Sequence, residues 1–341
     1  MTTTKSVLTA AQAQPKTSAD LHQLRINHTR IRYLASELKS LIYPDCQSEI
    51  LLVVGPTGVG KTTLSEYLVE QQVKALGAQM DEQPQLIPAI YVQAPASGEK
   101  TFSWRLLYER ILAQLEGEAF NLRKQAYGVD AETQRVIRPL RQGRSTLAGL
   151  RTGVERAIRH RGTRLLVIDE AAHIFSQVSK AEMQSNLNTL KSLANESGAQ
   201  IVLSGSYDLY SLVSLSAQLA RRIHVLHFER YRQDRPEDIH AFRTCLRHFE
   251  TQLPHLWEGQ LVPHTEVLME NTLGCIGTLS GVLSRAARLA EDAGHWELDF
   301  LQRTLLTHAQ VGRILEEITD GELAVDPSLK RESVYERRKL A

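Results

Sequence analysis

Five short apolar runs, Ile50–Val54, Ala89–Gln93, Arg164–Glu170, Gln200–Ser206 and Ile223–Phe228, are set apart along the chain by longer stretches of helical period. Runs of this length with little polar alternation suit strands covered on both faces, as in a parallel sheet. Helical periodicity is read between them in Leu21–Ile42, Thr62–Leu76, Thr101–Leu115 and Glu182–Ser197, and in a stretch ending at Gln218–Arg222, whereas residues 117–145 are the least regular. Strands alternating with helices predict a doubly wound α/β domain that takes its ligand at the C-terminal ends of the strands. From Pro236 the pattern is helical throughout, in Pro236–Leu253, Thr265–Leu273, Thr278–Ala293 and Leu298–Ile318, which predicts a separate helical bundle. The expected organisation is a flexible arm over 1–20, the α/β domain over 21–232, the helical domain over 233–319 and a flexible charged tail over 320–341.

The turn between the first strand and the next helix reads Gly55-Pro56-Thr57-Gly58-Val59-Gly60-Lys61-Thr62, which fits the phosphate-binding pattern GxxxxGK[ST], with Thr63 following. Glycines allow backbone amides to fold around phosphate oxygens, Lys61 brings a point charge to the outer phosphates, and Thr62 offers a hydroxyl to Mg²⁺. The third run ends in Asp169-Glu170, two carboxylates at the C-terminal end of a strand, a Walker B motif. Asp169 is expected to join Thr62 in holding the Mg²⁺ shell, and Glu170 to orient or deprotonate the water that attacks the γ-phosphate. A bound nucleoside triphosphate and its hydrolysis are the expected chemistry.

Charge and cysteines bound the partners. Over 341 residues the formal net charge is +1, so any nucleic-acid surface must be local. Between Arg123 and Arg164 basic residues outnumber acidic ones, and Arg135, Arg138, Arg141 and Arg144 recur every third residue, with Arg151 beyond them. These five are the candidate contacts to a duplex backbone; they carry no base-reading pattern, and a solvated, salt-bridged face is the alternative. Cys46, Cys245 and Cys275 are widely spaced and read as reduced thiols, and no apolar run reaches the length of a membrane span. A cytoplasmic location is expected.

The P-loop, the segment Ile168-Asp169-Glu170-Ala171-Ala172-His173, the strand Ile201–Ser206 and the segment Gln218-Leu219-Ala220-Arg221-Arg222, followed by helices, resemble an AAA+ ATPase across residues 25–310. In wording and order they are similar to the TniB/TnsC/MuB group of transposition regulators. The resemblance implies a P-loop AAA+ domain with a parallel five-stranded sheet and a C-terminal helical lid, using ATP and Mg²⁺. It implies a homo-oligomer, ring or helical filament, on double-stranded DNA without sequence preference, recruiting a transposase and a target-selection protein. It points to Ser206, with Ser204 as the alternative, as the polar residue that senses the γ-phosphate, and to Arg221 and Arg222 as arginine fingers reaching a neighbouring subunit. One departure is visible: where many lids carry Gly-x-x-Arg, Gly277-Thr278-Leu279-Ser280 ends in serine, leaving Arg285 as a substitute. A helicase loader or initiator, and a nucleotide-controlled scaffold that binds no DNA, are the competing readings.

Overall fold

The computed structural model describes residues 17–42, 50–96, 98, 101–123, 128–129, 136–137, 146–176, 178–214 and 223–325. Arg135, Arg138, Arg141, Arg144, Arg221, Arg222 and Cys46 lie outside the described residues, as do residues 1–16 and 326–341.

Strands β1 (Ile50–Val54), β2 (Ala89–Gln93), β5 (Leu165–Asp169), β6 (Gln200–Gly205) and β7 (Ile223–His227) form one parallel sheet in the order β2-β5-β6-β1-β7. All five residues of β1 and of β5 are buried, which is why neither shows polar alternation. Two-residue strands β3 (Gly128–Val129) and β4 (Val136–Ile137) pair antiparallel within the stretch expected to be irregular.

Helices α2 (Thr29–Leu41), α3 (Lys61–Ala75), α4 (Gly77–Glu82), α5 (Trp104–Arg123), α6 (Leu147–His160) and α7 (Lys180–Ser197) belong to the same α/β unit. The helix α6 is absent from the sequence-based expectation. Leu150, Val154 and Ile158, four residues apart, form its buried stripe, and the Thr146 side chain accepts a hydrogen bond from the Gly149 amide to start it. α7 begins on a reciprocal cap between Ser179 and Glu182 and ends at Gly198, whose φ of 73° only glycine takes without strain. One continuous core joins β1, β2, β5 and β6 to α5, α6 and α7 through Leu52, Ile111, Val154, Ile168, Leu190 and Leu203.

The second unit is helical: α1 (Ser18–Gln23), α8 (Pro236–Gln252), α9 (Pro254–Trp257), α10 (Thr265–Asn271), α11 (Ile276–Ala293) and α12 (Leu298–Thr304). Its core gathers Phe242, Phe249, Trp257, Leu283 and Phe300. Two boundaries differ from those expected. Residues 17–26 group with the helical unit, because Leu21 enters its core and the Ser18 amide donates to Glu291 at 2.5 Å. The last helix, α13 (His308–Val325), groups from Ala309 onward with the α/β unit and continues through residues expected to be tail. There Ile318 is fully buried, Arg230 Nε reaches Glu322 Oε1 at 2.8 Å, and a methyl group placed on Gly321 would lie 2.1 Å from the Tyr207 ring.

Within the helical unit Gly274 has φ 72°, and a Cβ there would stand 1.8 Å from the Tyr231 carbonyl oxygen. That oxygen belongs to a backbone fixed in turn by the Tyr231 amide donating to the Gly274 carbonyl at 3.1 Å. Gly274→Ala is therefore expected to destabilise the chain by about 3 kcal/mol or more in urea denaturation, combining left-handed strain with overlap against backbone. Gly281→Ala, inside α11 with open space at the Cβ position, should instead stabilise by about 0.5–1 kcal/mol.

No described helix is long and apolar enough to cross a membrane.

Candidate functional site

The turn from β1 to α3 is shaped by glycine where the backbone demands it. Gly58 and Gly60 have φ of 78° and 114°, and a Cβ on Gly55 would fall 2.5 Å from the Phe228 carbonyl oxygen. Phe228 is held there because its amide donates to the Val54 carbonyl at 2.7 Å, extending the β7 pairing alongside the loop. Gly60 then caps α3, whose first turn presents backbone amides and the positive end of the helix dipole toward the loop. Pro56, Thr57 and Val59 complete this concave backbone, with the Val59 amide donating to the Pro56 carbonyl at 3.3 Å. Lys61 Nζ donates to the Gly55 and Pro56 carbonyls at 3.0 and 2.9 Å, so its ammonium lies over the loop that would receive the phosphates. Thr63, partly exposed, follows on the first turn of α3.

The structure brings the two sequence motifs together. Thr62 Oγ1 donates to Asp169 Oδ2 at 2.6 Å, joining residues 107 positions apart. Asp169 is buried at the end of β5, and its other oxygen, Oδ1, accepts from the Glu170 amide at 3.0 Å. Glu170 itself has φ 51°, a left-handed conformation uncommon outside glycine, and it turns the chain from the strand into the 3₁₀ turn Ala171–Ile174. A hydroxyl and a carboxylate oxygen at this separation are hard oxygen donors of the kind that Mg²⁺ takes, and the amide-rich loop beside them suits phosphate oxygens. Thr62 and Asp169 therefore fit the metal, and Gly55–Thr63 fit the triphosphate.

Two neighbours of this site had no signature in the sequence. Tyr91, on β2, donates its hydroxyl to Asp169 Oδ2 at 3.1 Å. Burial first, then the Asp169, Glu66 and Glu170 carboxylates, push the phenol pKa well above its ordinary value, so the group remains a donor. His28, the residue that precedes α2, is buried with its ring 6.1 Å from that of Phe228 and borders Gly60. Burial, reinforced by Arg32 and Arg30, lowers its pKa to about 4 and keeps the imidazole neutral at physiological pH.

At the tip of β6, Ser206 donates its hydroxyl to Asp208 Oδ2 at 3.1 Å, one residue past the end of the strand. Ser204 is fully enclosed within β6, beside Val53 of β1, with no hydrogen-bond partner for its hydroxyl among the described residues. Arg151 lies on α6, where it donates to Glu155 at 2.9 Å and to Ser192 of α7 at 2.6 Å, so its guanidinium is held against the α/β unit. In the helical unit Arg285 donates to the Thr304 carbonyl at 3.1 Å.

Residues 46–213 match the family model described as an AAA domain, a span that takes in the P-loop, Asp169, Glu170 and Ser206. Comparison with curated proteins returns no match. Among solved structures the chain is similar to the Aeropyrum pernix ORC1 protein in complex with DNA, at 16% identity and TM-score 0.55, covering 95% of this chain and 85% of that one. It is similar too to the Aeropyrum pernix ORC2 protein in ADPNP and ADP complexes, at 15% identity and TM-score 0.54, covering 97% and 87%. At such identities the likeness is one of fold, the AAA+ P-loop fold with a helical C-terminal region.

Proposed function

We propose that this chain is a Mg²⁺-dependent ATPase that assembles on duplex DNA and, within that class, a cytoplasmic regulator of transposition. The observation that carries the enzymatic part is the 2.6 Å contact between Thr62 and Asp169, which unites a P-loop hydroxyl with a strand-end carboxylate. Lys61 and the amides of Gly58–Thr62 bind and orient the β- and γ-phosphates. Thr62 and Asp169 would hold Mg²⁺, which would neutralise charge on the phosphate oxygens. Glu170 takes a proton from the attacking water, and Ser206 orients that water or the γ-phosphate. Arg221 and Arg222 act from one copy on the triphosphate of the next, so assembly and turnover are coupled, and hydrolysis loosens the interface.

DNA contact is assigned to Arg135, Arg138, Arg141 and Arg144, with Arg151 at the margin because Glu155 already neutralises it. A DNA complex on the same fold in the ORC1 structure supports this assignment, and so does the local excess of arginine. Recruitment of a transposase and a target-selection protein follows from the resemblance to the TniB/TnsC/MuB group. Replication initiation is the second reading, favoured by the ORC1 and ORC2 likenesses.

Electrophoretic mobility with random-sequence duplex tests the proposal. Binding should be at least about tenfold tighter with a non-hydrolysable ATP analogue than with ADP, and should weaken at least about tenfold between about 50 and about 200 mM salt. Binding indifferent to nucleotide and salt, or no binding at all, would leave a protein scaffold as the better reading.

A further inference from the structure

Among the described residues the Asp169 carboxylate accepts three hydrogen bonds, and they differ in what fixes the donor. Thr62 Oγ1, at 2.6 Å, belongs to the phosphate loop and would be drawn away by a metal bound there. The Glu170 amide, at 3.0 Å, comes from the residue that leads the chain out of the strand. Tyr91, at 3.1 Å, comes from neither. It stands on β2, where its backbone pairs with Val167 and Gln93 pairs with Asp169, so Tyr91 and Asp169 share a sheet face as diagonal neighbours. The end of β2 is tied to the same residue by the Ala94 amide, which donates to the Asp169 carbonyl at 2.8 Å. A phenol has only two torsions, and its hydroxyl thus reaches Asp169 from a mount that neither phosphate binding nor the Glu170 turn disturbs.

We infer that Tyr91 is a positioning residue that holds the Asp169 carboxylate in the orientation that accepts the water shell of a nucleotide-bound divalent cation. The inference rests on the ATPase reading above. While Thr62 is engaged by the metal, the tyrosine remains the side-chain donor to Oδ2, leaving the carboxylate less rotational freedom to lose when the cation enters. Removal of the hydroxyl alone should cost metal affinity and leave nucleotide affinity in the absence of metal untouched, because Tyr91 is not part of the phosphate loop.

The experiment is a Mn²⁺ titration followed by electron paramagnetic resonance on the full chain saturated with ADP, which needs no turnover. Tyr91→Phe should weaken Mn²⁺ binding about tenfold, the low end of what losing a partner that orients a metal ligand costs. ADP affinity in excess EDTA should match the wild type, and the ligand-free chain should still melt cooperatively, a few degrees lower at most. In an Asp169→Asn background the same Tyr91→Phe change should cost less than about twofold, since the carboxylate it orients is gone. Equal Mn²⁺ affinity in Tyr91→Phe and wild type would overturn the inference, as would an equal loss of metal-free ADP affinity, which would mark Tyr91 as packing. A wild-type chain that binds no ADP would overturn the ATPase reading and this one with it, whereas wild-type binding with an indifferent Tyr91→Phe would overturn this one alone.

Discussion

Glu170→Gln is expected to lower steady-state ATP turnover by about 10²–10³-fold while leaving ATP binding within about twofold of the wild type. The reason lies in the division of labour between the two carboxylates. Asp169 is engaged with Thr62, Tyr91 and the Glu170 amide and is assigned to the metal shell, which leaves Glu170 as the carboxylate to serve as base. Glu170, turned by its left-handed backbone out of the strand, is half-buried at the same edge of the sheet. Glutamine keeps the size and backbone of the residue, so the amide on Asp169 Oδ1 stays and the metal site should not change. What is lost is the capacity to accept a proton. If assembly on DNA is held together by the γ-phosphate, the variant should also accumulate ATP-bound protein on duplex that does not dissociate over many wild-type turnover times. Phosphate release and sedimentation with DNA measure the two effects. Wild-type turnover in Glu170→Gln would remove this residue from the role of base, and slow turnover without a persistent assembly would break the proposed link between hydrolysis and release.

The sheet was legible because its physics is local: a strand buried on both faces must be apolar at nearly every position, and β1 and β5 are. The P-loop and Asp169-Glu170 were legible for a related reason, since phosphate and metal demand particular residues at fixed spacing beside such strands. The helix α6 carries an equally plain signal in Leu150, Val154 and Ile158, interleaved with Arg151 and Arg156, whose charge masks the apolar period. Arg151 shows the cost of counting charges: its partners Glu155 and Ser192 lie four residues away and on another helix, and only the second needs the fold to be seen. Tyr91 is illegible in principle, because a contact between residues 78 positions apart on adjacent strands leaves no mark on either segment. The units divide at other residues than those expected for the same cause. Leu21 and Ile318 look like ordinary apolar positions in amphipathic helices, and which unit each joins is decided by tertiary packing, with Ser18 bonded to Glu291 in one case and Tyr207 against Gly321 in the other.

Lys61→Ala should weaken ATP binding by about a hundredfold and abolish measurable hydrolysis, because it removes a charge-assisted contact to phosphate oxygens worth about 1.5–3 kcal/mol in affinity and more in the transition state. The geometry makes the effect separable from folding. The ammonium donates to the Gly55 and Pro56 carbonyls, so Lys61 bridges its own loop from a position over the proposed phosphate site. The loop shape, however, is set elsewhere: by the positive φ of Gly58 and Gly60 and by Phe228 against Gly55. Alanine at position 61 should therefore leave the ligand-free melting temperature nearly unchanged and remove its rise with ATP, which for wild type at about a hundred times Kd corresponds to about 2.7 kcal/mol. Lys61→Arg should fail as well, since a planar guanidinium is broader than an ammonium and cannot occupy the same point above two carbonyls 3.0 and 2.9 Å away. Thermal melts with and without Mg·ATP, beside a direct binding titration, check both variants. A Lys61→Ala chain that is still stabilised by ATP to the wild-type extent would mean that the triphosphate is held somewhere other than this loop.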